Sequence, residues 1–356
     1  TLPWGSCSWH QEAAPAEALP EDPPKDTSEA LEDPWTRPAG LPPLVPAGRT
    51  IAEVFLRQAA RDPERPVLAD ATSGVKTYRD VITGILALKP AMEALPGPYV
   101  GIMLPASVGS AILFLTALFA GKTPVILNWT AGLRNMIQGL DLLKVQQVFT
   151  ARALITRLEG QGVPLQGLEE RFIYLEDLAK GMPLPRKLWA KAMSWLSWAP
   201  LRQARPTDSA VVLFTSGSEN VPKAVPLSHG NLLANLRDIT EAIHFREDDR
   251  IVGFLPPFHS FGLTCTTLLP LLAGLRVVYH PNPMEARALS RIIFRYRCTL
   301  MVGTPTFLHA ILRVSKDDQL QTLRLVVTGA EKCPEPLYET ISRRWPHMVI
   351  LEGYGI

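Results

Sequence analysis

The sequence predicts an α/β fold, with mainly parallel sheets flanked by helices. Three observations carry this. Short apolar runs of three to six residues recur along the chain, at 100–104, 125–127, 145–150, 210–214, 251–255, 276–279, 300–302, 323–327 and 348–351. Most of them, such as 100–104, 210–214, 251–255 and 300–302, lack the polar alternation of half-exposed strands, so both faces are expected to be covered. Segments with helical spacing separate them, the strand–helix–strand alternation of βαβ units. Several runs also end in small or polar residues, which are expected at the carboxyl ends of strands, where open α/β sheets bind ligands. A hydrophobic content of 47% and a charged content of 20% over 356 residues allow a core of this size.

In chain order, residues 1–48 read as a linker or tail. They hold ten of the 33 prolines and eight acids against Lys25 and Arg37, with no periodic apolar pattern. Trp4, Trp9 and Trp35 are its candidate anchors. A first α/β subdomain is expected over 49–205. Thr50 followed by Glu53 has the form of a capping box ahead of an apolar helical face at 51–60. The run 106–120 is almost wholly apolar, but at about fifteen residues it is shorter than the roughly 20 that span a bilayer. A helix buried on several sides is expected there.

Residues 183–205 differ in composition. Trp189, Trp195 and Trp198 stand with Leu188, Met193 and Leu196 among Arg186, Lys187, Lys191, Arg202 and Arg205. A basic helix carrying tryptophans suits a membrane interface, but a surface helix packing its rings onto a neighbouring subdomain is the favoured reading, since such helices are common at subdomain seams.

The second subdomain, 206–356, is organised around Thr215-Ser216-Gly217-Ser218-Glu219-Asn220-Val221-Pro222-Lys223. A buried strand precedes it, a short strand follows at 224–227, and a helix is expected from Ser228, a capping residue. Two readings fit: a hairpin turn built on Gly, Asn and Pro, or an anion cradle of backbone N–H groups, hydroxyls and an ammonium. It is not a GxxxxGK[ST] loop, because no glycine precedes Lys223 and no Ser or Thr follows it. Further on, strands run into 256–262 (Pro-Pro-Phe-His-Ser-Phe-Gly), 303–306 (Gly-Thr-Pro-Thr), 328–332 (Thr-Gly-Ala-Glu-Lys) and 352–355 (Glu-Gly-Tyr-Gly).

Composition excludes some classes. Cys7, Cys265, Cys298 and Cys333 lie far apart with no CxxC pattern, against a zinc site or a disulfide scaffold and in favour of a reducing compartment. Inert, buried thiols are expected for the last three. No basic run with interleaved aromatics supports nucleic-acid binding. A cytoplasmic protein is expected, with 186–205 available to the inner face of the cytoplasmic membrane. The start at Thr1 and the end at Ile356, just after a strand, are expected to be cuts in a longer polypeptide.

Together the motifs resemble the adenylate-forming enzymes: acyl-CoA synthetases, fatty acyl-AMP ligases and nonribosomal adenylation domains. Thr215 to Lys223 with Leu227-Ser228-His229 resembles their phosphate loop, 258–262 the aromatic segment beside the carboxylate pocket, Gly329-Ala330-Glu331 the adenine turn, and Gly353-Tyr354-Gly355 the start of the next nucleotide motif. Within that superfamily, 127–132 (Leu-Asn-Trp-Thr-Ala-Gly), 173–178 and Gly329-Ala330-Glu331-Lys332 resemble the synthetase half of bacterial 2-acylglycerophosphoethanolamine acyltransferase/acyl-[acyl-carrier-protein] synthetases.

The resemblance implies the N-terminal large domain of such enzymes, with stacked sheets, truncated before the C-terminal domain. It implies activation of a long-chain fatty acid by ATP and Mg2+, then transfer to acyl carrier protein or coenzyme A, with an acyltransferase domain upstream. Thr215, Ser216, Gly217, Ser218 and Lys223 would hold phosphates. Gly329, Ala330 and Glu331 would line adenine, with Gly353, Tyr354 and Gly355 closing on it. His259 would sit at the acyl carboxylate as the catalytic residue, and His229 would shape the loop. No metal ligand is assigned within the chain, since the expected magnesium glutamate lies beyond Ile356. Asn220 stands where the family has glycine. The alternatives are a nucleotide- or acyl-binding module without chemistry and a membrane-associated interaction domain.

Overall fold

The computed structural model describes residue 35 and residues 42–216 and 222–354. In chain order its strands are β1 (Pro66–Asp70), β2 (Gly74–Thr77), β3 (Tyr99–Ile102), β4 (Thr123–Ile126), β5 (Val148–Thr150), β6 (Phe172–Tyr174), β7 (Ser209–Ser216), β8 (Pro222–Ser228), β9 (Arg250–Gly253), β10 (Arg276–Tyr279), β11 (Leu300–Gly303), β12 (Leu325–Thr328) and β13 (Val349–Glu352). They form two sheets, ordered β6-β5-β3-β4-β7-β8 and β13-β12-β11-β9-β10-β1-β2. Only the β7/β8 and β1/β2 pairs are antiparallel; the others are parallel. This is the α/β architecture expected from the apolar runs. The sheets do not divide at 205/206, however. β1 and β2 join the second sheet, beside β10, and β7 and β8 complete the first, beside β4. Pairing between distant strands decides membership, and no local pattern encodes it.

The helix Val108–Phe119 fills the run expected to be buried, and ten of its twelve residues are buried. Among the described residues no helix is long and apolar enough to cross a membrane. Asp70, at the end of β1, accepts a hydrogen bond from Val108 N at 2.9 Å and ties the second sheet to this helix of the first. Thr50 caps the helix Ile51–Arg61, accepting from Glu53 N at 3.2 Å, while the Glu53 carboxylate accepts from Arg49 N at 2.8 Å. Trp35 is buried against Tyr296, and Leu44 N donates to Ala273 O, so parts of the lead-in pack on the body. Trp4 and Trp9 lie outside the described residues. Cys265, Cys298 and Cys333 are buried and free, and burial pushes the Cys265 thiol up to about 12.

One helix departs from the expected regularity. The segment after His259 runs as Ser260–Gly262, a π turn at Leu263–Leu268, then Leu269–Ala273. Just beyond the π turn Pro270 has no N–H to give to Thr266 O four residues back. The hydroxyl of Tyr279 donates to that carbonyl instead, at 2.9 Å. The π turn widens the helix next to the functional segment.

In each sheet the connections leave adjacent strands in opposite directions. In the second sheet β9 connects onward to β10 on one side and β11 to β12 on the other. The carboxyl ends of β9 and β11 therefore flank a crevice at a topological switch point.

Candidate nucleotide and acid site

The segments singled out by sequence emerge at carboxyl ends of strands of both sheets. In the first, β7 and β8 form a hairpin in which Thr215 lies directly opposite Lys223 and Ser216 opposite Pro222. Residues opposite each other on an antiparallel pair face the same side. Thr215 and Lys223 are both exposed, so a hydroxyl and an ammonium stand together at the hairpin mouth. Gly217, Ser218 and Asn220, between the strands, lie outside the described residues. This arrangement is a hairpin, and it also presents donors suited to phosphate.

Behind the hairpin, Ser228 caps the helix His229–Ala242 in a reciprocal box with Asn231. His229 is buried: Nδ1 accepts from Ile51 N at 3.2 Å, and Nε2 donates to Thr207 O at 3.1 Å. Only the neutral ring makes both bonds, and desolvation holds its pKa below the usual imidazole value. A group whose folded pKa is depressed contributes stability above its unfolded pKa of about 6.5 and loses it as pH falls below that. Replacing His229 with Gln, which can also donate and accept, should flatten the pH slope of the unfolding free energy, measured by urea unfolding, below about pH 6.5 by up to about 1.4 kcal/mol per pH unit. An unchanged slope would show that His229 does not carry the acid sensitivity.

On the second sheet, β9 leads into the aromatic segment 258–262. His259 N donates to Pro256 O, and a Cβ on Gly262 would lie 2.4 Å from that same carbonyl oxygen, so the turn closes only over glycine. Phe258 is buried, edge-on to Trp129 with ring centroids 4.6 Å apart, and the His259 ring lies 4.6 Å from that of Phe258. His259 is exposed, yet the surrounding protein desolvates it enough to lower its pKa, which favours the neutral ring at neutral pH. Trp129 follows β4, so this stack joins the ends of the two sheets.

Phe261 reaches the next turn. A Cβ on Gly329 would meet Phe261 Cε1 at 3.3 Å and Gly353 O at 3.2 Å. Gly329 N donates to Gly303 O and Gly353 N to Thr328 O, so the ends of β11, β12 and β13 are fastened together. Ala330 is held at φ +66°, a left-handed conformation that costs a non-glycine residue energy and recurs at ligand sites. Glu331 accepts from Thr306 Oγ1 at 2.7 Å, and Glu352 from the Tyr338 hydroxyl at 2.7 Å. That hydroxyl is the main cause of the lowered Glu352 pKa. Tyr354 is 93% exposed, its ring open to stacking. Gly355 lies outside the described residues.

The structure thus gathers Phe258, His259, Phe261, Gly329, Ala330, Glu331 and Gly353 at one end of the second sheet, and Thr215 with Lys223 on the first. Trp129 and Thr306 entered the sequence reading only as parts of motifs. Their signal was position, directly after an apolar strand run. The exposed hydroxyl and ammonium and the glycine cradle at 329 fit a nucleotide. Among the described residues no group of three or more His, Cys, Asp or Glu could hold a metal ion.

Residues 55–356 match the family described as AMP-binding enzyme. Acyl-CoA ligase SID4 of Ajellomyces capsulatus is 36% identical over 157 residues, covering 42% of this chain and 26% of that protein. 4-Coumarate–CoA ligase 4 of Arabidopsis thaliana is 22% identical over 312 residues, covering 82% of this chain and 53% of its own length. Among solved structures, a fatty acyl-adenylate ligase from L. pneumophila, in complex with acyl adenylate and pyrophosphate, superposes with a TM-score of 0.68 at 21% identity, over 86% of this chain and 55% of that one. The N-terminal domain of FACL13 from Mycobacterium tuberculosis gives 0.69 at 19% identity, over 87% and 76%. The chain spans about half the length of the plant relative and about a quarter of the fungal one.

Proposed function

The chain belongs to the AMP-binding enzyme family, and from that premise we propose that it is the nucleotide- and acid-binding part of a ligase that joins a carboxylic acid to a thiol through an acyl-adenylate. The observation that carries this reading is the packing of Phe261 against Gly329 and the Gly353 carbonyl. It sets the segment proposed for the acid against the turn proposed for adenine, as an attack on the α-phosphorus requires.

In the proposed reaction a carboxylate oxygen attacks the α-phosphorus of ATP. The bond from that phosphorus to the bridging oxygen breaks, and pyrophosphate leaves with the electron pair. A thiolate then attacks the acyl carbon and AMP departs. No protein nucleophile is needed, so the chain contributes position and charge. Thr215, Ser216, Gly217, Ser218 and Lys223 hold the β- and γ-phosphates. Gly329, Ala330 and Glu331 line adenine, with Gly353, Tyr354 and Gly355 closing on it. His259, neutral and braced by Phe258, donates to the acid. Magnesium enters with the nucleotide.

For the acid we favour a long-chain fatty acid, on the resemblance of 127–132 and 173–178 to acyl-[acyl-carrier-protein] synthetases. The relatives' names include both acyl-CoA and 4-coumarate–CoA ligases. The acceptor is coenzyme A or a carrier-protein thiol. ATP–pyrophosphate exchange by the full-length protein, with palmitate, hexanoate and 4-coumarate in parallel, tests this. Exchange driven by palmitate supports the reading in full. Exchange with 4-coumarate alone replaces the acid and keeps the chemistry. No exchange with any of them, while ATP still binds, leaves a nucleotide-binding module.

A further inference from the structure

The helix Leu184–Leu196 uses none of the residues assigned to ATP or the acid, and its two faces have opposite characters. The inner face is fastened to the helix Tyr78–Glu93. Pro90 within that helix has no N–H to give to Leu86 O four residues back. The Arg186 guanidinium supplies the missing donor, with Nη2 on Leu86 O and Nε on Ala87 O. At the other end Arg79 Nη1 donates to Ser194 O at 2.6 Å, and Trp198 Nε1 donates to the same carbonyl at 2.8 Å. Ala190 and Ser194 are fully buried between these anchors.

The outer face is apolar and open. Leu184, Leu188 and Trp195, at i, i+4 and i+11, share one side of the helix, with Leu196 adjacent; they are 66, 59, 61 and 79% exposed. Tryptophan is seldom left in water on this scale, and here a cation fixes each exposed ring. The Arg79 guanidinium lies 3.7 Å from the Trp195 ring centroid and that of Arg186 4.3 Å from Trp189. An open groove of about 660 Å³ at the helix start is lined in part by Leu88, Phe172, Tyr174, Asp177, Met182 and Arg186, and its one carboxylate, Asp177, is paired with Arg152.

Charge identifies the occupant. No Asp or Glu occurs between Asp177 and Asp208, while Lys180, Arg186, Lys187, Lys191, Arg202 and Arg205 fall in that interval. Lys180, Lys187, Lys191 and Arg202 are exposed. The acids nearest the inner face are engaged elsewhere, Glu64 with Arg79 and Glu93 with Lys89. Protein interfaces deplete lysine, whereas a bilayer surface accepts leucine and tryptophan at the headgroup boundary and lysines snorkelling beside them. We propose that the outward face of the helix Leu184–Leu196 is a docking surface for an anionic lipid bilayer, which the helix meets lying in the interface plane.

The test is co-sedimentation of the 356-residue chain with vesicles of phosphatidylcholine alone and of phosphatidylcholine mixed with phosphatidylglycerol. The chain should partition onto the mixed vesicles, less so as salt rises, and weakly onto the neutral ones. Each lysine removed should weaken binding about fivefold, so Lys187→Gln with Lys191→Gln should cost about 25-fold, while Lys187→Arg with Lys191→Arg should retain binding. Trp195→Ala with Leu196→Ser should release the chain from mixed vesicles while its circular-dichroism melting curve stays at the wild-type temperature. Because Trp195 also stacks on Arg79, the lysine pair serves alone if the tryptophan variant melts early. Equal partition onto neutral vesicles, or unchanged binding of the lysine variants, overturns the proposal. So does a change confined to self-association in sedimentation velocity, which would make the face a contact between copies of the chain.

Discussion

In the full-length protein, Lys223→Ala should lower acid-dependent ATP–pyrophosphate exchange by about 10²–10³-fold, the usual cost of removing one donor aimed at developing charge. Lys223 is exposed and stands across the hairpin from Thr215, so its ammonium is available to a ligand at the hairpin mouth. Folding should be nearly indifferent to the change, since an exposed side chain away from the core usually matters by less than about 0.5 kcal/mol. Lys223→Arg keeps the charge but broadens it over a planar fork and should recover only part of the rate. Thr215→Val removes a neutral donor from the same face and should cost about 10- to 100-fold, the roughly 1.5–3 kcal/mol of a hydrogen bond to a charged group. Both losses should appear in kcat as well as in the KM for ATP, because the phosphate charge redistributes as pyrophosphate departs. Exchange at the wild-type rate in Lys223→Ala would remove the hairpin from the phosphate site.

The hairpin shows how much could be read from the sequence. Strand β7 is legible because Ala210, Val211 and Val212 are buried, which leaves a continuous apolar run. The segment after it stands out by residue type, hydroxyls around a glycine and then a lysine, and of it the structure describes Thr215, Ser216, Pro222 and Lys223. That β7 pairs with β4, more than eighty residues earlier, was not. The same holds for β1. Its five residues are all buried, but so short a run beside Asp62, Pro63 and Pro66 does not stand apart from a loop. The helix Tyr78–Glu93 contains Gly84 and Pro90, residue types that break a helical pattern; Pro90 is tolerated because Arg186 satisfies the carbonyl it leaves open. At the site, motif order gave the segments, but not their contacts. Trp129 on Phe258, Phe261 on Gly329 and Thr306 on Glu331 join residues from 25 to 129 positions apart. Such pairs are set by how the strand ends converge at the switch point.

The opposite end of the second sheet carries the largest expected effect on stability. Asp249 is fully buried immediately before β9. Its carboxylate accepts from Arg324 Nε at 2.9 Å, Thr299 Oγ1 at 2.7 Å and Arg246 N at 2.7 Å, and pairs with Arg324 Nη2 as well. Thr299 Oγ1 in turn accepts from Arg250 N at 2.9 Å. One side chain therefore fastens the amino ends of β9, β11 and β12, whose carboxyl ends carry 258–262, 303–306 and 328–332. Asp249→Ala strands the Arg324 guanidinium, whose side chain is 20% exposed, together with a backbone N–H and a hydroxyl. Breaking a buried pair from one side costs about 3–5 kcal/mol; the partial access of Arg324 to water places the expectation near the lower figure. Against a total stability of roughly 5–15 kcal/mol, that is a large share. Asp249→Asn keeps an acceptor and should fall between wild type and Ala. Adding Arg324→Met to Asp249→Ala should cost less than the sum of the two single changes, because the stranded charge is gone. Urea unfolding of the four proteins measures this, and strict additivity would show that the pair is not coupled. Any Asp249→Asn protein that stays folded should keep the wild-type KM for ATP, since the network braces the sheet at the end away from the ligand.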